Sequence, residues 1–180
     1  MDRIEIINRL ISANNYKTYL EIGIQNGNCF RAIQAIEKTG VDPDAQSQAT
    51  IRKTSDDFFK DNKQTFDIIF IDGLHHKEQV IKDVKNSLRV LNKGGAIVMH
   101  DCLPTSKRMQ EIPLEEQCEW TGDVWGAFLF YRRTLNLNMC VVDCDWGCGI
   151  IQESKQKKLS QNAIPENPTY EEFVANKQSW

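Results

Sequence analysis

The sequence predicts an α/β fold with a mostly parallel sheet, on three observations. Short apolar runs, typical of buried strands, alternate along the chain with segments of helical period. The apolar run at 68–71 is followed by Asp72 and two histidines, and the run at 96–99 is followed by His100 and Asp101. Ligands bind such sheets at the carboxyl ends of the strands. These polar residues therefore mark the expected functional edge.

The individual elements follow from hydrophobic period and turn residues. Seven segments rich in apolar or β-branched residues predict strands, at 18–22, 41–43, 48–53, 66–72, 95–101, 139–145 and 147–152. Six segments with apolar residues three or four apart predict helices, at 4–11, 29–38, 55–62, 80–91, 124–133 and 169–178. Gly40 is expected to stop the second helix and Gly94 the fourth. The connection at 103–121 has no readable period and is a candidate substrate loop.

Length and charge limit the function classes. The chain has 180 residues, which suits one domain. Its formal net charge of −3 leaves no basic surplus for phosphates, so we expect no nucleic-acid partner. We also expect no membrane association and a cytoplasmic location, since no apolar run approaches a membrane span and the N-terminus lacks a signal peptide's apolar block. Nothing in the sequence indicates the oligomeric state.

Three of the six cysteines are evenly spaced, at Cys140, Cys144 and Cys148. This spacing differs from the paired C-x-x-C of structural zinc sites. The favoured interpretation is reduced cysteines that act as small core residues. A structural metal at these positions is the alternative.

A glycine-containing loop follows the first predicted strand, in the stretch YLEIGIQNGNCF at 19–30. Its pattern is Glu21-x-Gly23-x-x-x-Gly27, and glycines at such a turn let the backbone approach a ligand closely. The G-x-G-x-x-G fingerprint of dinucleotide-binding oxidoreductases is absent. Asp42 follows about 20 residues after the loop, where an acid can hydrogen-bond a ribose diol.

The stretches EIGIQNG, GVDPD, FDIIFIDGLHH and LNKGGAIVMHD, in this order, resemble the class I S-adenosylmethionine-dependent methyltransferases. They are most similar to a small methyltransferase-domain group whose fourth strand ends in I-D-G-x-H. The resemblance implies a Rossmann-like, doubly wound sheet of seven strands, mostly parallel, with the last strand antiparallel. It covers residues 1–152, and 153–180 would form an extension, either part of the same domain or partly irregular.

The resemblance also implies a cofactor pocket for S-adenosylmethionine. Seven residues would form it: Glu21, Gly23, Gly27, Asp42, Ser55, Asp56 and Asp72. The first three would shape the methionine end, and Asp42 would hold the ribose hydroxyls. Ser55 and Asp56 would lie near the adenine, and Asp72 would face the transferred methyl. The sequence departs from the family plan at 43–47, which is too short for the usual crossover helix, so one sheet edge is expected to be open.

A hydroxyl acceptor must lose its proton, and two devices would serve. His75 or His76 would act as general base, and His75 is preferred because it is closer to the strand end. Asp72 and Asp101 are the other expected catalytic residues. Alternatively, Asp72, His100 and Asp101 resemble in position the acid sets that hold magnesium in metal-dependent O-methyltransferases. A divalent cation there, Mg²⁺ or Mn²⁺, would lower the pKa of the acceptor. Because a histidine stands among these ligands, manganese, iron or zinc suits the set at least as well as magnesium.

The resemblance implies an enzyme that transfers a methyl group from S-adenosylmethionine to an oxygen of a small molecule. A sugar or secondary-metabolite hydroxyl is the expected acceptor. The alternative is a non-catalytic or regulatory module that binds S-adenosylmethionine or S-adenosylhomocysteine. Trp120 is a candidate for stacking on the acceptor, although core packing is the simpler explanation. Lys107 and Arg108 in the long loop would contact an anionic acceptor such as a sugar phosphate, although solvation is the simpler explanation.

Overall fold

The computed structural model describes residues 1–113, 119–152 and 163–179. Within these ranges the α-helices are α1 (Arg3–Asn14), α2 (Asn28–Ala32), α3 (Ser55–Asp61), α4 (Lys77–Val90), α5 (Val124–Thr134) and α6 (Tyr170–Asn176). The strands of the same ranges are β1 (Thr18–Ile22), β2 (Glu37–Val41), β3 (Phe66–Ile71), β4 (Leu91–Met99), β5 (Asn138–Val142) and β6 (Cys148–Gln152). In these parts of the chain every helix is too short or too polar to cross a membrane.

All six strands form one sheet in the order β2-β1-β3-β4-β6-β5. The first four strands in that order are parallel, and β6 is antiparallel to both its neighbours. The predicted α/β class, with a mostly parallel sheet and an antiparallel last strand, is confirmed. The strand order reverses between β1 and β3, so the switch point at which such sheets bind ligands lies at the carboxyl ends of these two strands.

The sheet has six strands in the described residues, whereas seven were predicted. The segment predicted as a strand at 48–53 makes only a single parallel bridge, between Ile51 and Val41. A full parallel ladder needs a crossover of a dozen or more residues, and the connection from Val41 to Ile51 is shorter than that. The sequence correctly indicated that this connection has no crossover helix. It did not indicate that the segment after the connection fails to form a strand of the sheet.

The second predicted helix is also shorter than expected. It was predicted to run to residue 38, but α2 ends at Ala32 and β2 begins at Glu37. Residues 37–41 pair in parallel register with all of β1, from Thr18 opposite Glu37 to Ile22 opposite Val41. Pairing with the sheet outweighs the weak helical pattern of this segment.

The core has two layers, one on each face of the sheet. Successive β3 residues alternate between them: Ile69 and Ile71 pack toward α4 and α5, while Ile68 and Phe70 pack toward α1. The C-terminal α6 adds Phe173 to the first layer. Cys148 and Cys102 are buried and Cys140 is exposed, and no described cysteine belongs to a group that could hold a metal ion. Cys118 lies outside the described residues.

Candidate active site

A cleft of about 850 Å³ opens along the carboxyl edge of the parallel strands. The last residues of these strands are level, since Val41 pairs with Ile22, Ile22 with Ile71 and Ile71 with Met99. The residues that follow them therefore enter one space. Nine predicted site residues line it: Glu21, Gly23, Asp42, Ser55, Asp56, Asp72, His75, His100 and Asp101. Gly27 does not line the cleft and instead starts α2 with a φ of 71°.

The loops after β1 and β3 touch at Gly23. Its φ is 89°, and a Cβ atom there would lie 2.1 Å from the carbonyl oxygen of Asp72. The Gly23 N–H donates to the carbonyl of Val41 at 2.9 Å, and the Asp72 N–H donates to the carbonyl of Ile22 at 2.8 Å. Only glycine meets both the backbone conformation and the close approach, so the sequence pattern Glu21-x-Gly23 is explained by the sheet edge itself.

Asp42 fixes the loop that follows β1. Its Oδ2 accepts the backbone N–H groups of Ile24 and Gln25 at 2.8 and 2.9 Å, and its Oδ1 accepts that of Asp44 at 2.8 Å. The side chain is buried but still borders the cleft. Asp42 thus has a structural task beside the ligand contact predicted for it.

Glu21 is a buried carboxyl group on β1. It is only 1% exposed and is hydrogen-bonded to the hydroxyl of Tyr19. Burial disfavours its charged form and outweighs the hydrogen bond from Tyr19, which raises the pKa of Glu21 to about 7. The folded protein therefore binds a proton here at pH values where the unfolded chain has lost it.

The raised pKa of Glu21 predicts a pH-dependent cost of burial. Between its unfolded value of 4.5 and about 7, its contribution to stability falls as pH rises, because only the folded state keeps the proton. Glu21→Gln removes this cost and should be more stable than the wild type at pH 8 by about 3 kcal/mol. The gain should shrink markedly at pH 5. Urea unfolding of both proteins at the two pH values measures it.

The matched control is Glu37→Gln, at an exposed position on the neighbouring strand β2. This variant should show no gain at pH 8 comparable to that of Glu21→Gln, because the side chain at position 37 is exposed and carries no burial cost. A gain for Glu21→Gln that is the same at both pH values would contradict the assigned protonation of Glu21.

The far end of the cleft is formed by Ser55, Asp56 and Gln79. Gln79 on α4 donates through Nε2 to Oγ of Ser55 at 3.2 Å and to Oδ1 of Asp56 at 3.3 Å. It also donates to Oδ1 of the buried Asp83 at 3.2 Å. Sequence reasoning missed Gln79, because it stands among the polar residues of an amphipathic helix and nothing distinguishes it from them.

At the other end, His75 lies between two carboxylates. Its Nδ1 is 3.1 Å from Oδ2 of Asp101, and its Nε2 is 3.4 Å from Oδ1 of Asp72. Nδ1 also lies 3.2 Å from the backbone carbonyl oxygen of Trp120, and the Trp120 ring stacks on the imidazole with centroids 5.4 Å apart. His76, one residue further on, lies at the N-terminal cap of α4 and makes no side-chain cap bond.

The carboxylates around His75 shift its pKa, and the histidines around Asp72 shift the pKa of that carboxyl group in turn. Burial alone would lower the pKa of His75, but Asp72 and Asp101 outweigh it, and the net pKa shift is upward. Burial would likewise raise the pKa of Asp72, but hydrogen bonds from His100 and His75 hold it well below its usual range. Asp72 is therefore ionised at neutral pH.

His100 is almost fully buried, at 4% exposure. Its Nδ1 lies 3.1 Å from Oδ1 of Asp101 and 3.3 Å from Oδ1 of Asp72, and its Nε2 lies 3.5 Å from Asp145. Burial opposes the charged imidazole, but Asp101 and Asp72 outweigh it and raise the pKa of His100 to about 10.

The structure gives a different candidate metal group from the one predicted. Ligand atoms of Asp72, His75 and Asp101 all lie within 4.8 Å of one another. His75 therefore takes the place expected for His100, while both predicted carboxylates remain. Such a mixed set of one imidazole and two carboxylates suits Mn²⁺, iron or Zn²⁺ as well as Mg²⁺.

Two residues that sequence reasoning did not single out complete this end of the cleft. Arg3, from the first turn of α1, lies 3.2 Å from Asp72 through Nη1 and contacts both ring nitrogens of His100, at 2.9 and 2.8 Å. Asp145, in the turn between β5 and β6, lies 3.2 Å from Nε of Arg3. Arg3 stands on the first helix, away from any strand end, whereas Asp145 is the last residue of the strand predicted at 139–145, a signal that sequence reasoning did not use.

The residues predicted to contact the acceptor differ in their position relative to the cleft. Trp120 lines the cleft beside His75. Lys107 does not line it and pairs instead with Glu171 at 2.8 Å.

Residues 20–102 match the family model described as a methyltransferase domain. This span runs from β1 to just past Asp101 and contains every predicted cofactor residue and the three histidines. No sequence among the curated proteins matches the chain.

Solved structures agree with the fold. The cofactor-bound protein Rv0187 from MTB aligns with a TM-score of 0.66 at 14% identity, covering 86% of this chain and 80% of the other. The fold is that of the Rossmann-like methyltransferases. An O-methyltransferase from Bacillus cereus in complex with SAH gives 0.60 at 12%, covering 84% and 80%. The O-methyltransferase TomG from Streptomyces achromogenes, in complex with SAM and involved in tomaymycin synthesis, gives 0.61 at 12%, covering 83% and 78%.

Proposed function

We propose that this protein transfers a methyl group from S-adenosylmethionine to an oxygen of a small molecule, such as a sugar or secondary-metabolite hydroxyl. One observation carries the proposal: a single cleft joins the glycine loop and strand-end acids to the pair His75 and Asp101. The solved O-methyltransferases in complex with SAH and SAM share this fold and support the assignment. A cytoplasmic location and the lack of a nucleic-acid partner belong to the same proposal.

The cleft fits the cofactor in size and in chemistry. Its volume of about 850 Å³ lies within the range of small-molecule sites. Gly23 leaves the backbone bare at the methionine end, Asp42 would hold the ribose, and Ser55 and Asp56 would flank the adenine. The cofactor, when bound, supplies an electrophilic sulfonium methyl. Asp72 would face this group, since its carboxylate is ionised and borders the cleft between the two ends.

His75 would remove the proton of the acceptor hydroxyl. In the neutral ring, a proton on Nδ1 would be donated to Asp101 and to the Trp120 carbonyl. Nε2, which can donate to Asp72 only when the ring is protonated, would then be the basic nitrogen. Asp101 then sets the tautomer and orientation of the ring, as the carboxylate does in other acid–histidine pairs. Stacking on Trp120 restricts the ring further. The three residues together supply an oriented base beside the methyl-donor pocket.

A cation held by Asp72, His75 and Asp101 is the alternative device, because their ligand atoms converge. It would lower the pKa of an acceptor oxygen. A non-catalytic module that binds S-adenosylmethionine would need the cofactor pocket alone. The convergence of His75, Asp101 and Asp72 at the end of that pocket favours an enzyme over such a module.

Calorimetric titration of S-adenosylmethionine and S-adenosylhomocysteine tests the cofactor assignment. We expect both to bind the wild type and Asp42→Asn to weaken both by tenfold or more, roughly 1.4 kcal/mol. The amide keeps the size of the side chain but replaces one acceptor oxygen by a donor, which opposes either the ribose hydroxyls or the loop N–H groups.

Asp44→Asn is the matched control, since Asp44 lies two residues further along the same loop and is exposed. It should bind both compounds like the wild type. Failure of the wild type to bind either compound would remove the methyltransferase function. Unchanged binding by Asp42→Asn would mean that the ribose does not bind at the end of β2.

A further inference from the structure

Arg3 reaches the reaction centre from the N-terminal helix and joins two loops. Its side chain is 27% exposed and borders the cleft. Nη1 lies 3.2 Å from Oδ2 of Asp72, after β3, and Nε lies 3.2 Å from Oδ2 of Asp145, between β5 and β6. One guanidinium therefore bridges two carboxylates from distant parts of the chain. The fixed N–H directions of a guanidinium suit such a bridge, whereas the single ammonium of lysine does not.

Asp145 is firmly placed to anchor Arg3. It lies in a tight turn in which Asp145, Trp146 and Gly147 all have positive φ, of 50°, 55° and 90°. The turn is tied to the loop after β4, because Leu103 donates its N–H to the carbonyl of Trp146 at 2.7 Å. Oδ2 of Asp145 also accepts the backbone N–H of Arg3 at 3.0 Å. Asp145 thus fixes both the backbone and the side chain of Arg3.

Asp72 receives the other side of the bridge. Its Oδ2 faces Arg3, while its Oδ1 lies 3.4 Å from Nε2 of His75 and 3.3 Å from Nδ1 of His100. The two oxygens have different partners, so rotation of the carboxylate would break contacts on both sides. Arg3 supplies the contact on the Oδ2 side.

We propose that Arg3 is a positioning residue of the reaction centre: anchored by Asp145, it holds the Asp72 carboxylate toward the cofactor sulfur and His75. The inference rests on the proposed function, because it assigns to Asp72 the place opposite the sulfonium. Arg3 acts through Asp72 and needs no contact with the ligand. Both Arg3 and Asp145 lie outside residues 20–102, which the family model matches.

The charge of the ligand sulfur makes the position of Asp72 measurable. S-adenosylmethionine carries a sulfonium cation, whereas S-adenosylhomocysteine carries a neutral thioether at the same atom. A carboxylate held toward the sulfur favours the cation, so the ratio of the two affinities reports where Asp72 lies. Arg3→Lys keeps the positive charge but cannot span both carboxylates. A changed ratio in this variant therefore reflects lost geometry rather than lost charge.

The experiment is calorimetric titration of each compound into the full chain. We expect Arg3→Lys to lower the ratio of the affinity for S-adenosylmethionine to the affinity for S-adenosylhomocysteine about tenfold. The affinity for S-adenosylhomocysteine should stay nearly unchanged. Asp145→Asn removes the anchor and should lower the ratio as well, which provides a second route if Arg3→Lys fails to fold. Arg9→Lys is the matched control, because Arg9 is an exposed arginine of the same helix that pairs with Glu5. It should keep the wild-type ratio.

A double-mutant cycle decides whether Arg3 acts through Asp72. Asp72→Asn alone should lower the ratio, and neither Arg3→Lys nor Asp145→Asn should lower it further in that background. A wild-type affinity ratio in Arg3→Lys would overturn the inference, and so would an equal fall in the affinities for both ligands. A further full decrease of the ratio when Arg3→Lys is combined with Asp72→Asn would overturn it as well. If the wild type bound neither compound, the proposed function would fall and this inference with it. Each of the other outcomes leaves the proposed function standing.

Discussion

Replacement of His75 by glutamine is expected to slow methyl transfer by roughly 10²- to 10⁴-fold, the range that a general base contributes. Glutamine fills similar space and can still bond Asp101, but it cannot take up a proton. Affinity for S-adenosylhomocysteine should stay within about threefold of the wild type, because His75 would act on the acceptor rather than on the cofactor. The measurement is S-adenosylhomocysteine release with an acceptor found by screening hydroxylated small molecules, paired with calorimetric titration of S-adenosylhomocysteine.

His76→Gln is the control for this prediction. His76 neighbours His75 and lies edge-on to the same Trp120 ring, at 6.0 Å between centroids, but it contacts neither Asp72 nor Asp101 in the described structure. Its replacement should leave the rate unchanged. Equal rates for His75→Gln and the wild type would remove His75 as the base.

Chelation of divalent cations distinguishes the two mechanisms, a histidine base and a bound cation. If His75 is the base, EDTA should leave the wild-type rate unchanged, and Asp101→Asn should slow transfer by disturbing the orientation of the ring. If a cation bound by Asp72, His75 and Asp101 activates the acceptor, EDTA should abolish transfer and Mn²⁺ should restore it. The same three residues serve either route, so their variants alone do not distinguish the two.

The sequence predicted one side of the proposed reaction centre for a simple reason. His75 and Asp101 follow β3 and β4, which are neighbouring parallel strands, and parallel neighbours bring their carboxyl ends together. Residues placed just past two such strands must meet, whatever the details of packing. Their roles in binding and catalysis remain predictions until the variants above are measured.

The strand-end rule could not reveal Arg3, and it was not applied to Asp145, although Asp145 is the last residue of the strand predicted at 139–145. Arg3 enters through the packing angle of α1 on the sheet, and Asp145 enters through a turn of positive φ between two antiparallel strands. The position of Arg3 depends on tertiary geometry that local patterns do not encode. The error at 29–38 has the same origin, because that segment is a strand only where β1 pairs with it.

The charge of the cleft follows from combining these two sets of residues. Asp72, Asp101 and Asp145 are three carboxylates in contact with one guanidinium and two imidazoles. Asp72 and Asp101 both contact His75, and proton uptake during transfer would place a positive charge on its ring. Its carboxylate neighbours, which shift the pKa of His75 upward, would therefore also stabilise the charge that the reaction places on it.

Gly23→Ala is expected to have the largest effect on the cofactor pocket. The added Cβ would lie 2.1 Å from the carbonyl oxygen of Asp72, which belongs to the backbone and cannot turn aside as a side chain can. Alanine at a φ of 89° would cost about 1–2 kcal/mol on conformation alone. Relief of the clash requires the loops after β1 and β3 to separate, which also displaces Asp72. We expect a loss of stability of several kcal/mol, about 3 or more, and S-adenosylhomocysteine affinity reduced at least 100-fold.

Gly94→Ala separates strain from contact. Gly94 has a similar φ of 79°, but nothing lies within 4 Å of the position its Cβ would take. This variant should lose only the conformational cost of about 1–2 kcal/mol and should bind S-adenosylhomocysteine like the wild type. Urea unfolding and calorimetry of the two variants, side by side, measure the difference. Equal destabilisation of both would mean that the loops after β1 and β3 yield easily, and wild-type binding by Gly23→Ala would place the cofactor away from the β1 loop.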